Sequence, residues 1–192
     1  MLLNNDQIAK LALEGMIDPF NPRNLNPFGY DATLSNKFRF LKGGLVEFHE
    51  GSGPYPRAFG TASPKVIDPM DVDPRDWEEI EVDKIVVPPG GFVLGTTVER
   101  FAIPNDIEGE CIGRSSYSRV GIVPHVTPLE AGWCGYITME IANNSLYPTL
   151  VYAFEGIVQI FFHKGDMPSI SYATKHKNQY QDQSGVTLTR GL

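Results

Sequence analysis

Short stretches in which apolar and polar residues alternate, separated by glycine and proline, make up most of the chain after residue 31. The clearest are ATLSNKFRFL at 32–41, EIEVDKIVVPPGGFVLGTTVERFAIP at 79–104, GYITMEIANN at 135–144 and TLVYAFEGIVQIFFHK at 149–164. An alternation with a period of two residues, interrupted by turn formers, is typical of many short β-strands. We therefore predict an all-β protein, and 192 residues suit a single domain that spans residues 1–192.

Three segments depart from the strand pattern. Near the N-terminus, Asn4 or Asn5 is placed to cap a short helix that Gly15 would end. Residues 43–75 hold many Gly, Pro and Asp residues and few periodic apolar ones, which predicts a long loop or an insertion. The polar residues 171–192 form a closing tail that we expect to be either loose or ordered by a ligand or a neighbouring subunit.

The overall charge and apolar content exclude several kinds of partner. A formal net charge of −7 argues against a broad nucleic-acid surface but leaves room for a local basic pocket. No apolar run is long enough to span a membrane, and the N-terminus lacks the basic and apolar regions of a signal peptide. We therefore expect a cytoplasmic protein without nucleic-acid or membrane partners. Cys111 and Cys134 have no metal-ligand spacing and are predicted to be reduced thiols.

The segment GRSSYSR, at 113–119, crowds hydrogen-bond donors into one short stretch. It is open to two interpretations. Such residues are common in solvated turns between strands. They also suit an anion site, because the guanidinium fork of Arg114 matches phosphate oxygens and Ser115, Ser116 and Ser118 add hydroxyl donors. The segment is not a Walker loop, because the ending GK followed by Ser or Thr is missing.

A second polar feature lies in the predicted strand at 136–142. There Ile137, Met139 and Ile141 would share one face, and Glu140 would lie on the other. A carboxylate in mid-strand is either on a solvated sheet face or directed into a pocket. The arginine-rich segment about one hairpin away favours a site that combines a carboxylate with arginine.

Six motifs resemble the dCTP deaminase family, which is related to the dUTPases. They are FGYDATLSNKF at 28–38, VVPPGGFVLGTTVERFAIPNDI at 86–107, GRSSYSR, VTPLEAGWCGYITMEIAN at 126–143, EGIVQIFF at 155–162 and SYATKHKNQYQDQSGVTL at 171–188. The resemblance implies a distorted β-barrel or jelly roll of the dUTPase-like type with a short N-terminal helix. It also implies a homotrimer whose sites form between subunits.

The resemblance assigns roles to individual residues. Glu140 matches the catalytic glutamate, and Arg119 and Ser115 match residues that hold the glutamate and the water near the cytosine. The wider set of substrate-binding residues implied by the family comprises Arg114, Ser115, Ser116, Tyr117, Ser118, Arg119, Val126, Thr127, Glu130, Thr138, Met139, Gln159, Tyr172, Gln179 and Gln183.

The chemistry implied is the hydrolysis of dCTP to dUTP and ammonia, which would supply dUTP for thymidylate synthesis. Most nucleobase deaminases activate water with zinc held by a His/Cys/Cys ligand set, marked by an HxE…PCxxC signature that this chain lacks. Glu140 would then serve as the base. Arg119 would lower the pKa of Glu140 and burial would raise it, and the sequence leaves the outcome open. Mg²⁺ would enter with the triphosphate and need no protein cage.

Alternatives to a deaminase come from a different class of reaction and from a protein without catalysis. Glu130 stands near the place of an aspartate that activates water in dUTPases, so the chain could release dUMP and pyrophosphate from dUTP, alone or after deamination. A nucleotide sensor is the third interpretation.

Gln179 replaces a lysine of some relatives, and Lys177 could supply that charge. The family also makes dTTP a reasonable feedback inhibitor, and His125 is interpreted as structural.

Overall fold

A computed structural model describes residues 1–42 and 67–191 of the chain. It begins with helix α1 (Asn5–Leu11), followed by a π turn at Ala12–Met16. Asn4 caps α1: its side-chain oxygen accepts from the backbone N–H of Gln7, and the Gln7 side chain accepts from the backbone N–H of Asn4, both at 3.0 Å. Gly15, inside this turn, has φ +102°, a conformation that favours glycine. The predicted helix and its Asn4 cap are confirmed, whereas α1 ends at Leu11, before Gly15.

The rest of the described chain is built from strands. They are β1 (Ile17–Asp18), β2 (Leu25–Asn26), β3 (Gly29–Leu41), β4 (Trp77–Glu81), β5 (Lys84–Val87), β6 (Phe92–Ala102), β7 (Ile107–Gly113), β8 (Ile122–His125), β9 (Cys134–Asn143), β10 (Thr149–Tyr152) and β11 (Gly156–Lys164). A one-turn helix, α2 (Ser115–Ser118), and two 3₁₀ turns, Pro22–Asn24 and Pro74–Asp76, complete the elements. The prediction of an all-β protein is confirmed.

One antiparallel sheet curls into a distorted barrel. Its main order is β7-β11-β3-β6-β9-β8, with β1, β2 and β4 paired at its sides, while β5 and β10 form a separate pair. The two ends of the order meet, because Gly109 of β7 exchanges two backbone hydrogen bonds, of 2.9 and 2.7 Å, with Leu129 beyond β8. The barrel shape follows from this closure, which leaves few unpaired strand edges.

Side-chain alternation along each strand places the core inside the barrel. On β9, Ile137, Met139 and Ile141 are buried, whereas Thr138 and Glu140 on the other face are only partly covered. Large side chains such as Tyr30 and Phe101 fill the interior. The two faces predicted for β9 are therefore confirmed, and Glu140 is placed on the outer face of the strand.

The outcome for the other predicted segments is mixed. Residues 43–66, most of the predicted loop or insertion at 43–75, lie outside the described residues. Cys111 and Cys134 are free thiols on β7 and β9, as expected. Within the described part of the chain, no helix combines the length and the apolar character needed to cross a bilayer.

A carboxylate buried in the barrel wall anchors the start of β3. Glu99 is 2% exposed and accepts hydrogen bonds from the Tyr30 hydroxyl at 3.1 Å and from the Thr33 backbone and hydroxyl at 2.9 and 2.6 Å. Burial raises the pKa of Glu99, while the bonds from Thr33 lower it in part. These contacts fix the segment of β3 that carries Asp31.

Replacing this carboxylate should be costly. We expect Glu99→Ala to lower the free energy of unfolding by about 2–4 kcal/mol, because the donors of Tyr30 and Thr33 lose their acceptor in the interior. Urea denaturation at fixed protein concentration measures the change. Glu110→Ala, which removes an exposed carboxylate paired with His163 at 3.2 Å, should cost less than about 1 kcal/mol. Equal losses in the two variants would contradict this interpretation.

Candidate functional site

A cleft of about 820 Å³ opens on the outer face of β9. Its walls are β9, the loop that follows β8 and the C-terminal tail. It is lined by apolar and aromatic side chains together with carboxylates and amines. The lining residues are Trp77, Phe92, Leu94, Glu108, Val126, Thr127, Pro128, Leu129, Glu130, Trp133, Ile137, Thr138, Glu140, Tyr172, Lys175, Lys177, Gln179, Tyr180, Gln183, Thr187 and Thr189. The mixture suits a small ligand with both a flat ring and charged groups.

The tail forms one wall of the cleft by packing on its own chain. Gln183 pairs with the N-terminal end of β9: its side chain donates to the Tyr136 carbonyl at 2.5 Å, and the Tyr136 N–H donates to its carbonyl at 3.1 Å. The Trp133 indole donates to the Tyr180 carbonyl at 2.9 Å, and the Thr187 N–H donates to the Thr138 hydroxyl at 3.1 Å. The tail is thus ordered by the same chain, an outcome that neither sequence-based alternative included.

Glu140 lies in the middle of β9 and is half-buried at the cleft wall. Burial raises the pKa of its carboxyl, and the charge of His125, directly opposite on β8, lowers it by less. Within one chain burial prevails, whereas the balance between burial and Arg119 that the sequence left open stays a prediction, because Arg119 does not line this cleft. A carboxyl with a raised pKa can both accept a proton from water and return it.

The segment 113–119 lies outside the cleft of its own chain. Arg114 follows β7, and Ser115–Ser118 form the single turn of α2. Ser115, Ser116, Ser118 and Arg119 are exposed, and the Tyr117 hydroxyl accepts from the Tyr152 N–H at 3.1 Å. None of residues 114–119 lines the cleft of the same chain. Their hydroxyl and guanidinium donors therefore form a separate surface.

Arg114 is held at the base of this surface. Its Nε lies 3.0 Å from the Asp31 carboxylate, and its Nη1 donates to the Gly156 carbonyl at 3.0 Å. Gln159, on β11, is the register partner of Asp31 on β3, so it belongs to this neighbourhood and not to the cleft.

The predicted site residues therefore fall into two groups on one chain. The cleft collects eight of them: Val126, Thr127, Glu130, Thr138, Glu140, Tyr172, Gln179 and Gln183. Arg114–Arg119 and Gln159 lie in the second group. Met139 belongs to neither, because its side chain is fully buried in the core. Only the backbone of Met139 is available to a ligand in the cleft, as the alternation along β9 requires.

Several lining residues were missed by the sequence analysis. Glu108, Trp77 and Phe92 come from three different strands, and no local pattern sets them apart. Lys175 pairs with Glu130 at 2.5 Å and lies 4.0 Å from the centre of the Tyr172 ring. Because Lys175 lies in the same tail motif as Lys177, the sequence could have indicated that Lys175 lines the cleft. Lys177 lines the cleft beside Gln179, where the sequence analysis expected a compensating charge.

The described residues show no group of three or more His, Cys, Asp or Glu side chains arranged to hold a metal ion. The carboxylates of the cleft are Glu108, Glu130 and Glu140, of which Glu130 is paired with Lys175. Besides these carboxylates, the amines of Lys175 and Lys177 line the cleft and could meet the phosphates of a ligand.

Comparisons with known proteins agree on one family. A family model described as dCTP deaminase-like matches residues 2–165. A dCTP deaminase of Acidobacterium capsulatum is 38% identical over 201 residues, covering 99% of this chain and 100% of that protein. A dCTP deaminase of Herpetosiphon aurantiacus is 36% identical, covering 95% of each chain.

A solved structure confirms the fold. The crystal structure of 2′-deoxycytidine 5′-triphosphate deaminase from Agrobacterium tumefaciens matches with a TM-score of 0.63 at 20% identity, over 85% of this chain. The match covers 48% of that longer chain, so this chain spans about half its length. At this identity the likeness establishes a shared β-barrel fold.

Proposed function

Because the chain belongs to the dCTP deaminase-like family, we propose that it hydrolyses dCTP to dUTP and ammonia. The observation that carries the proposal is the position of Glu140, a half-buried carboxylate of raised pKa at the wall of a cleft large enough for a nucleotide. Residues of the tail and of the loop after β8 enclose a space that a flat base could enter beside Tyr172 and Tyr180.

The proposed mechanism uses Glu140 as a proton shuttle without zinc. Glu140 accepts a proton from water as the water oxygen bonds to C4 of the cytosine ring. The proton passes to N3 of the ring, giving a tetrahedral centre at C4. Glu140 then takes the proton of the C4 hydroxyl and gives it to the exocyclic amine, so that the C4–N bond breaks and ammonia leaves as the C4 carbonyl of uracil forms. Proton transfer by a positioned side chain of this kind contributes about 10²–10⁴ in rate.

The complete site is proposed to need two copies of the chain. Glu140 lies in the cleft, whereas Ser115 and Arg119, assigned to the water and the glutamate, lie on the separate surface. Around α2 that surface carries exposed apolar residues, among them Leu146 at 86% and Tyr147 at 77% exposure. Exposed apolar side chains next to exposed hydrogen-bond donors are typical of a subunit interface. We propose a homotrimer in which the Arg114–Arg119 segment of one copy completes the cleft of the next.

The triphosphate is proposed to bind where the two copies meet. Arg114, Ser115 and Ser116 would donate to phosphate oxygens from one copy, and Lys177 lies in the cleft of the other. Mg²⁺ would bind through the triphosphate itself. The dUTP produced would serve thymidylate synthesis in the cytoplasm, with dTTP as a feedback inhibitor.

Ammonia release from a panel of nucleotides tests this function. Purified protein with Mg²⁺ is expected to release ammonia from dCTP much faster than from dCMP, which lacks the two outer phosphates. No ammonia from dCTP, under conditions where the protein is folded and assembled, would exclude the proposed function.

One observation favours a second activity on the same site. Glu130 lines the cleft together with Glu140, at the place where the sequence analysis expected a residue related to the water-activating aspartate of dUTPases. Lys175, 2.5 Å from Glu130, opposes this role, because an attacking water would have to displace the amine from the carboxylate. Release of dUMP and pyrophosphate from dUTP, abolished by Glu130→Gln, would establish the bifunctional alternative.

The pH dependence of kcat follows from the pKa of Glu140. The shuttle needs the ionised carboxylate, so kcat should fall when acid protonates it. Burial in its own chain raises the pKa of Glu140, and we expect this to outweigh the lowering by Arg119 of the next copy, so that fall should begin at a higher pH than for an ordinary glutamate. His125→Gln removes the charge that lowers this pKa, so the fall should shift to still higher pH. Measuring kcat at saturating dCTP from about pH 4 to 8 tests both statements. A flat profile down to the ordinary glutamate range would contradict them.

A further inference from the structure

Asp31 makes contacts for which the proposed mechanism has no use. It lies on β3, its side chain is only 14% exposed, and its Oδ2 lies 3.0 Å from Nε of Arg114. Its other carboxylate oxygen accepts from the Asn26 side chain at 2.8 Å. Both oxygens are therefore engaged, one by a neutral donor and one by a cation. A carboxylate held in this way has a fixed orientation and can transmit it to its partner.

Gly156 is the second residue that holds the Arg114 side chain. Its carbonyl accepts from Nη1 of Arg114 at 3.0 Å. A Cβ at this glycine would lie 2.8 Å from Nη1 of Arg114 and 3.0 Å from Cβ of Asp31. A side chain at position 156 would therefore displace both residues. The guanidinium is thus held at two nitrogens, by Asp31 and by the Gly156 carbonyl.

Further hydrogen bonds hold Asp31 in place. The Asn24 side chain donates to the Asp31 carbonyl at 3.0 Å and to the Thr33 hydroxyl at 2.9 Å. The Thr33 hydroxyl in turn donates to the buried Glu99 at 2.6 Å. This continuous chain of hydrogen bonds ties the backbone of Asp31 to the barrel interior. Through Asp31, these hydrogen bonds also restrict the position of the Arg114 side chain.

We infer that Asp31 is a positioning residue that orients the Arg114 guanidinium for phosphate binding. The inference rests on the proposed function, in which Arg114 donates to the triphosphate. The negative charge of Asp31 partly offsets the positive charge of Arg114. Asp31 therefore favours phosphate binding by orienting the guanidinium and not by its charge. A guanidinium already fixed at two nitrogens loses less conformational freedom when its remaining surface, within a side chain that is 37% exposed, meets a phosphate.

Kinetics of three variants test the inference. Asp31→Ala should raise KM for dCTP about tenfold and leave kcat within about threefold, because only phosphate binding depends on Arg114. Asp31→Asn, which keeps an oxygen acceptor, should give a smaller rise. In the Arg114→Ala background, Asp31→Ala should add nothing further, since its effect passes through that arginine. The inhibition constant of deoxycytidine, which has no phosphate, should stay unchanged in all three.

A matched control is available at the other end of β7. Asp106 forms an ion pair with Lys164 at 2.9 Å, about 20 Å of strand away from Arg114. Asp106→Asn should leave KM, kcat and the thermal midpoint unchanged. A lower KM in Asp31→Ala would show that Asp31 only competes with phosphate. Parallel losses of kcat, deoxycytidine affinity and thermal midpoint would show that it only stabilises the fold. Either result would overturn the inference, as would an additive effect in the double variant.

Binding of tripolyphosphate separates this inference from the proposed function. Calorimetry of the wild type and of Asp31→Ala with tripolyphosphate and Mg²⁺ needs no turnover. Weaker binding in the variant supports the positioning role even if dCTP is not deaminated. Equal binding overturns it even if the enzyme is an active deaminase.

Discussion

Glu140→Gln is expected to lower kcat for dCTP by about 10²–10⁴-fold, the range that a positioned general base contributes. Glutamine keeps the size and hydrogen-bonding shape of the side chain but cannot accept the proton of water. The affinity for dCTP should therefore stay within a few-fold of the wild type. Steady-state kinetics give kcat, and calorimetry with dCTP gives the affinity, which the inactive variant allows to be measured without turnover.

The control for this variant is a glutamate in a similar strand position outside the cleft. Glu79 lies in the middle of β4, is exposed and pairs with Arg39 at 2.6 Å. Glu79→Gln should leave kcat and the affinity for dCTP unchanged. If Glu140→Gln kept near-normal kcat, Glu140 would not be the base, and the proposed mechanism would be wrong.

The second large effect is the recovery of activity from two inactive chains. Arg119→Ala and Glu140→Gln should each be nearly inactive as homogeneous assemblies. If Arg119 of one copy acts beside Glu140 of the next, some sites in a mixed assembly contain neither substitution. In every trimer that holds both variants, one of its three sites, about one third, should be intact. Co-expression of the two variants with different tags, followed by purification through both tags, yields the mixed assembly for assay.

Two controls make this result specific. Mixing the two purified variants without subunit exchange should give no activity beyond the sum of both. A trimer with two wild-type copies and one copy of the double variant should keep one active site, between its two wild-type copies. If the mixed assembly of the two single variants is as inactive as its parents, both residues act within one copy, and the site does not span subunits.

The pattern along single strands could be predicted well from the sequence. The alternation at 136–142 assigned Ile137, Met139 and Ile141 to the core and Glu140 to the outer face, and the structure places them so. Burial alternates because consecutive side chains on a strand point to opposite faces. The same rule explains why Met139, carried over as a substrate contact, has its side chain in the core.

Contacts between distant segments could not be predicted in the same way. Asp31 and Arg114 meet because β11 pairs with both β3 and β7, and nothing in the local pattern of either segment records that pairing. The return of the tail to β9 through Gln183 depends on the same long-range order. The family resemblance supplied a list of residues, but only the fold divides that list into a cleft and a separate surface.

Mass spectrometry of the product formed from dCTP in ¹⁸O-labelled water tests the central claim most directly. Attack of water at C4 predicts one ¹⁸O atom in the uracil base of dUTP, with an equal amount of ammonia and no label in the phosphates. Label in a phosphate, with a base that keeps its amine, would show that the cleft hydrolyses the phosphate chain and would contradict the assignment of this protein as a deaminase.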